Sequence, residues 1–241
     1  MHQFRLHEAR IDLAAITHNV ARSINSGGNH SAAVDVRADG YGHGAVEAAR
    51  AAELGGAAHL LVSSESDAAA LQDAGILLPT SVVSGEQPTL EPGLGLVPVA
   101  RAYGFVGGGD WRPAMRVRAR VIGVKSIAAG EGVSYGYTFR APNATNLALV
   151  AIGYADGIDR HAGNLCGLLL RGARRPIVGR VAMNALVVDM GEDQAAVEDV
   201  AVVFGDPAEG EPSVSDWSET LGKRPSEVAA NLGARLPRSR A

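Results

Sequence analysis

The chain has 241 residues, of which 46% are apolar and 20% are charged, and its formal net charge is −4. This composition is ordinary for a globular protein and provides no basic surface for nucleic acid or an anionic membrane. The single cysteine, Cys166, excludes an internal disulfide and suits a reducing cytoplasm. The N-terminus "MHQFRLHEAR" lacks the apolar core of a signal peptide, and no apolar run approaches the roughly 20 residues of a membrane helix.

The N-terminal part of the chain alternates predicted strands and helices. Helices are predicted at residues 12–24, 44–54 and 65–75, and strands at 33–36, 58–64, 79–85 and 97–105. Asp12 and Ser64 are suitable N-caps for two of the helices, and residues 85–98 are typical of a Pro- and Gly-rich loop. The alternation indicates a parallel α/β sheet or barrel. About 105 residues hold three or four strand–helix units, whereas a closed eight-unit barrel needs about 250 residues.

The pattern changes to β structure after a linker at 106–113. Strands are predicted at 114–124, 145–152, 166–170, 176–182, 185–190 and 199–204, followed by helices at 213–222 and 225–233. The sequence therefore predicts two domains, a truncated α/β barrel-like domain at 1–105 and a β domain at 106–241.

Several motifs resemble those of the fold-type III alanine racemases, which use pyridoxal 5′-phosphate (PLP). They are "RADGYGHGAVEAARAAELGGA" near the N-terminus, and "GVSYGYT", "GYADGIDR", "RPIVGRVAMNALVVDMG" and "LGARLPR" in the second half. The resemblance covers roughly residues 8–84 and 97–238. It implies a (β/α)₈ barrel followed by a β domain, and a head-to-tail dimer whose sites lie between one subunit's barrel and its partner's β domain.

Arg37 stands where the resemblance places the lysine that forms the Schiff base with PLP and acts as one catalytic base. A Schiff base needs a neutral primary amine, and a guanidinium provides none. The chain has two lysines, Lys125 and Lys223, and both lie in the second half. Two interpretations of Arg37 stay open at this point. It is either a structural ion-pair partner or an anchor for a carboxylate ligand.

The resemblance also assigns roles to residues that match the family's motifs. Tyr135 stands at the position of the second catalytic base, with packing of the turn as its alternative role, and Tyr41 at that of a phosphate-contacting tyrosine. Tyr41, His43, Tyr154, Met183 and Asn184 form the predicted ligand-binding set, although His43 also suits a structural role in its turn. No metal site is predicted.

The leading hypothesis from the sequence is a racemase-derived protein that has lost PLP. It would bind a small anionic ligand at a homodimer interface and act as a cofactor-independent isomerase or cyclase through Arg37 and Tyr135. One alternative is a non-catalytic binding or regulatory protein that pairs with itself or with a true racemase subunit. The remaining alternative is a working alanine racemase.

Overall fold

The computed structural model describes residues 6–27, 31–85, 90, 92–106, 108–233 and 235–241. The predicted loop at 85–98, the predicted linker at 106–113 and the N-terminal decapeptide lie partly outside these residues.

Helices and strands in the described residues follow the order of the chain. The helices are α1 (Leu13–Gly27), α2 (Arg37–Tyr41), α3 (Ala45–Leu54), α4 (Glu65–Asp73), α5 (Val99–Ala102), α6 (Val214–Leu221) and α7 (Pro225–Ala230). The strands are β1 (His7–Ile11), β2 (Ala32–Asp35), β3 (His59–Val62), β4 (Thr80–Val82), β5 (Gly95–Leu96), β6 (Met115–Ile127), β7 (Gly132–Val133), β8 (Phe139–Arg140), β9 (Thr145–Val150), β10 (Gly167–Leu170), β11 (Ala173–Val178), β12 (Leu186–Gly191), β13 (Val200–Phe204) and β14 (Arg238–Arg240).

The chain divides into two compact units. The α/β unit comprises Ile11–Met115 and Arg240–Ala241, and the β unit comprises Met1–Arg10 and Arg116–Ser239. This division differs from the predicted one because the first ten residues group with the β unit. The predicted boundary within 106–113 stays a prediction.

The α/β unit contains a parallel sheet in the order β4-β3-β2-β5. Its central strands β2 and β3 are almost wholly buried, as expected for a parallel sheet. The predicted N-caps are confirmed, since Asp12 accepts the backbone N–H of Ala15 at 2.9 Å and Ser64 accepts that of Asp67 at 3.2 Å. This sheet places the ends of β2, β3 and β4 at one edge.

Close contact between helices α1 and α3 requires glycine at position 55. A Cβ atom there would lie 2.8 Å from the Thr17 carbonyl oxygen and 2.9 Å from the Val20 side chain. The Ala-rich face of α3 fits the same short approach, because its buried side chains are small.

The predicted strand at 97–105 is wrong, because the chain forms the short helix α5 there. Pro98 stands at its N-cap, and the Pro98 carbonyl accepts the N–H groups of Arg101 and Ala102 at 2.8 and 2.9 Å. The apolar residues of this segment are still buried, since Val97, Ala102, Tyr103 and Phe105 are at most 3% exposed.

The β unit is built on one large sheet in the order β13-β10-β11-β12-β9-β6-β1-β14, with an additional pairing of β13 with β6. A buried cluster of Ile127, Val133, Ala141, Leu147 and Val178 packs beside it. The predicted helices at 213–222 and 225–233 are confirmed as α6 and α7. No helix within the described ranges is both long and apolar enough to cross a membrane.

Candidate active site

Arg37 lies immediately beyond β2, at the start of α2. Its guanidinium donates to the Asp35 carboxylate from Nε at 3.0 and 3.1 Å and from Nη2 at 2.7 Å. Its Nη1 donates to the Gly85 carbonyl at 2.5 Å. The side chain is 15% exposed, and its hydrogen bonds to Asp35 raise the pKa of Arg37. Because the guanidinium is engaged within the chain, the geometry favours the structural ion pair over the ligand anchor.

Asp35 organises this cluster, although sequence reasoning did not single it out. Its side chain is 3% exposed. Besides the guanidinium, its carboxylate accepts the backbone N–H of Arg37 at 3.0 Å and the hydroxyl of Tyr41 at 2.8 Å. The available signal was an acidic residue closing the otherwise apolar strand "AAVD". A buried carboxylate needs such partners, so its position could have been flagged.

Tyr41 and Tyr103 both donate to Asp35, one to the carboxylate and one to the backbone. The Tyr103 hydroxyl donates to the Asp35 carbonyl oxygen at 2.9 Å. Burial and the negative charge of Asp35 raise the pKa of Tyr41 and of Tyr103. Both hydroxyls therefore stay protonated at neutral pH and act as donors. The Tyr41 proton is directed at Asp35, away from any phosphate role in this geometry.

His43 is enclosed by aromatic side chains. Its ring lies 4.6 Å from the Tyr103 ring and 5.9 Å from the Phe105 ring, between centroids. Its Nδ1 lies 2.9 Å from the Gly40 carbonyl oxygen. With 2% of the residue exposed, the geometry favours the structural role over ligand contact.

Tyr135 begins a 3₁₀ turn in the β unit, Tyr135–Tyr137, and is 78% exposed. The preceding residue fixes the turn, because the Ser134 hydroxyl donates to the Arg180 carbonyl at 2.7 Å. A surface cavity of about 440 Å³ adjoins the turn and is lined by Tyr135, Arg180 and Val187 among others. The phenol therefore faces open space where a substrate or another chain has access.

Two of the motifs, "GYADG" and "VAMN", meet through their backbones. The N–H of Tyr154 donates to Ala182 and that of Ala155 to Met183, each at 3.0 Å. Met183 is half exposed, and the Arg160 guanidinium lies 5.2 Å from the centre of the Tyr154 ring. The structure thus brings Tyr154 and Met183 together, as the predicted ligand-binding set requires within this unit.

Asn184 and Asp156 flank the same motifs. The Asn184 side-chain oxygen accepts from Arg235 at 3.0 Å. Asp156 is fully buried, and its Oδ2 accepts the Gly153 N–H at 2.9 Å. Its Oδ1 faces His7 at 3.7 Å and Arg235 at 3.9 Å. These contacts hold the motif in shape.

Other reactive groups of the described residues offer no second site of this kind. Burial raises the pKa of the Cys166 thiol to about 12, which keeps it in the unreactive thiol form. No group of three or more His, Cys, Asp or Glu side chains in the described part of the chain is placed to hold a metal.

Taken by fold and site, the chain is a two-unit protein in which a parallel α/β unit carries polar side chains at its strand ends and a β unit carries exposed tyrosines on turns. Its residues 114–240 match the family model for the alanine racemase C-terminal domain, and residues 11–99 match that for the N-terminal domain. The first match covers more than half of the chain. The chain belongs to the alanine racemase family.

Individual relatives agree with this assignment. An alanine racemase of Salinispora tropica is 45% identical over 154 residues, which are 62% of this chain and 40% of that protein. An alanine racemase of Mycobacterium leprae is 47% identical over 129 residues, which are 53% of this chain and 33% of that protein. The matches thus span about two fifths or less of the length of these curated relatives.

Solved structures show the same fold. The alanine racemase from D-cycloserine-producing Streptomyces lavendulae aligns with a TM-score of 0.88 at 25% identity, covering 100% of this chain and 98% of that one. The alanine racemase of Streptomyces coelicolor A3(2) aligns with a TM-score of 0.85 at 24% identity, covering 98% of both chains. The second likeness concerns the fold alone.

These comparisons correct two expectations from the sequence. The hypothesis of a cofactor-independent isomerase or cyclase is contradicted, because the relatives and structural neighbours are alanine racemases. The expectation that PLP is not used is contradicted by the same findings, since PLP is the cofactor of this family. The remaining alternative, alanine racemisation, agrees with the relatives better than a non-racemase function does.

The residues around position 37 do not fit a covalently bound PLP. Arg37 has no primary amine, and its guanidinium is held by Asp35. Lys223 is paired with Asp159, and Lys125 lies on an exposed part of β6. The family's cofactor and this cluster therefore disagree at one position of the α/β unit.

Proposed function

We propose that this chain takes part in the racemisation of alanine with PLP as the cofactor, and that its β unit supplies Tyr135 as an acid–base residue. The observation that carries the proposal is the 45% identity to a named alanine racemase over 154 residues. The exposed phenol of Tyr135, on a turn fixed by Ser134, is accessible to a substrate carbon from outside the chain. PLP serves such reactions as an electron sink for the carbanion left when the proton departs.

The α/β unit is a shortened form of the barrel implied by the resemblance. Its family model matches residues 11–99, and the described residues of this unit contain the parallel sheet β4-β3-β2-β5. A closed eight-stranded barrel of this type takes about 250 residues. A shortened unit exposes strand edges, and a partner chain would cover them.

Arg37 determines which partner completes the site. If the chain pairs only with a second copy, each site combines Tyr135 with Arg37, and no primary amine stands at that position. If it pairs with a racemase chain that carries lysine there, one site of the dimer combines that lysine with Tyr135 of this chain. We assign the complete site to this mixed dimer, and the self-paired form is the alternative.

Complementation tests both the function and the partner. A full-length alanine racemase is prepared in which the tyrosine matching Tyr135 is changed to phenylalanine, and it is co-expressed with this chain. We expect L- to D-alanine conversion to rise about 10-fold or more over the weakened racemase alone, as loss of an acid–base group costs about 10²–10⁴-fold. The matched control is the same co-expression with Tyr135→Phe in this chain, for which no rise is expected.

Each outcome decides one part of the proposal. Racemisation by this chain alone with added PLP would confirm the function and overturn the mixed dimer. Absence of any gain over the Tyr135→Phe control, together with no racemisation by the chain alone, would overturn the function.

A further inference from the structure

The Asp35 carboxylate collects the two side chains of the α/β unit to which the resemblance assigns cofactor contacts. It accepts two nitrogens of the Arg37 guanidinium at 2.7–3.1 Å and the Tyr41 hydroxyl at 2.8 Å. It also accepts the backbone N–H of Arg37 at 3.0 Å, which closes the turn between β2 and α2. With 3% of its side chain exposed, Asp35 interacts with these groups and hardly with water.

We propose that Asp35 is a second determinant, beside position 37, of whether the α/β unit holds PLP covalently. Asp35 binds the cation at position 37 and takes the proton of Tyr41, so both side chains point at it. The inference rests on the proposed function only in taking PLP as the cofactor. It predicts that a lysine restored at position 37 does not by itself restore attachment.

The chemistry of attachment explains why the carboxylate matters. The neutral amine attacks the aldehyde carbon of PLP, a carbon–nitrogen double bond forms, and the carbonyl oxygen leaves as water. An ammonium has no lone pair for this attack and must first lose a proton. A buried carboxylate within hydrogen-bond distance favours the charged ammonium and opposes that loss.

The groups that face position 37 from neighbouring elements do not offset Asp35. Tyr41 on α2 is a neutral donor to the same carboxylate, and Tyr103, which follows α5, donates to the Asp35 backbone. Asp39 on α2 adds a second negative charge nearby, and its carboxylate accepts the N–H of Ala45 at 2.9 Å. The loop after β4 contributes the Gly85 carbonyl, which also prefers a cation. All of these contacts favour a charged group at position 37.

Borohydride trapping tests the inference without an activity assay. The full chain and its variants Arg37→Lys, Asp35→Asn and Asp35→Asn with Arg37→Lys are mixed with PLP at pH 7.5 and reduced. Borohydride adds hydride to the imine carbon and water protonates the nitrogen, so the label is permanent and its site is read by peptide mass. We expect no label at position 37 in the wild type or Asp35→Asn, and at least 5-fold more label there in the double variant than in Arg37→Lys.

A second readout keeps the inference falsifiable if the double variant does not fold. In Arg37→Lys alone, labelling at position 37 should require a higher pH than labelling at exposed Lys125 in the same sample. Lys125 thus serves as an internal control for general reactivity towards PLP. Equal labelling of Arg37→Lys and the double variant at pH 7.5, or the same pH dependence at both positions, would overturn the role of Asp35. Alanine racemisation is not measured here, so failure of this inference and failure of the proposed function are separate results.

Discussion

The carboxylate of Asp35 and the guanidinium of Arg37, two residues apart in the chain, form a closed ion pair with Nη2 2.7 Å from Oδ2. The pair lies at the end of β2, with 3% and 15% of the two side chains exposed. Removing one member of a buried pair leaves the other charge without compensation, which costs more than the pair itself contributes.

Asp35→Asn should therefore lower the free energy of unfolding by about 2–4 kcal/mol, as measured by urea titration. The matched control is Asp110→Asn, because Asp110 forms an exposed ion pair with Arg22 in the same unit. That change should stay within about 0.5 kcal/mol. Similar effects of the two substitutions would show that the Asp35 pair does not stabilise the α/β unit.

Tyr135→Phe should reduce alanine racemisation by at least about 100-fold in whichever preparation carries it, because the phenol is the proton-transferring group. Stability should change by less than about 0.5 kcal/mol, since the side chain is 78% exposed. The rate of D-alanine formation and a thermal melt measure the two effects.

The neighbouring tyrosine provides the control for this prediction. Tyr137 is in the same turn, and its ring packs against Gly132 and the Arg140 guanidinium, 5.7 Å from the ring centre. Tyr137→Phe keeps that ring and should keep the activity. Equal losses in both variants would mean that the turn, and not the Tyr135 hydroxyl, is what the reaction needs.

The sequence patterns predicted most elements of the fold, because hydrophobic periodicity and capping residues act locally. Asp12 and Ser64 cap α1 and α4 as expected. The segment after Pro98 was predicted as a strand on its apolar residues, yet a helix buries them equally well. Short apolar runs do not distinguish the two structures, and Pro98 at the N-cap decided the outcome.

The site was predictable only in part, because its central contact depends on backbone conformation. Arg37 and Tyr41 were found through their motif, whereas Asp35 was treated as part of a strand. Left-handed backbone at Ala38 and Asp39, with φ of 51° and 56°, folds the chain back so that positions 35, 37 and 41 meet. Alanine gives no sequence signal for that conformation, since residues other than glycine rarely adopt it.

Acid should weaken the β unit through Asp159. Hydrogen bonds from Lys223 and His161 outweigh burial and lower the pKa of Asp159 to about 2, from an ordinary value of 3.8. A lowered pKa in the folded state stabilises the protein above the ordinary value, and this contribution is lost as the pH falls from about 4 to about 2. Urea unfolding at pH 6, 4 and 2.5 measures the change.

Asp159→Asn isolates that contribution. The variant should be less stable than the wild type at pH 6, and the difference should shrink as the pH approaches 2.5, because the wild-type carboxylate becomes protonated. A difference that stays constant over this range would assign the acid sensitivity to other carboxyl groups.

Gly157→Ala should destabilise the β unit far more than Gly172→Ala. Both glycines have left-handed backbone, with φ of 100° and 75°. A Cβ at position 157 would lie 2.1 Å from the Asn231 carbonyl oxygen and 2.5 Å from the Leu232 Cα atom, whereas one at position 172 would meet no atom within 4 Å. Backbone strain alone costs about 1 kcal/mol at position 172. At position 157 the collision with rigid backbone adds to it, for a total above roughly 3 kcal/mol. Urea unfolding midpoints of the two variants measure the difference, and equal midpoints would mean that residues 231–232 move aside from the "GYADG" turn at little cost.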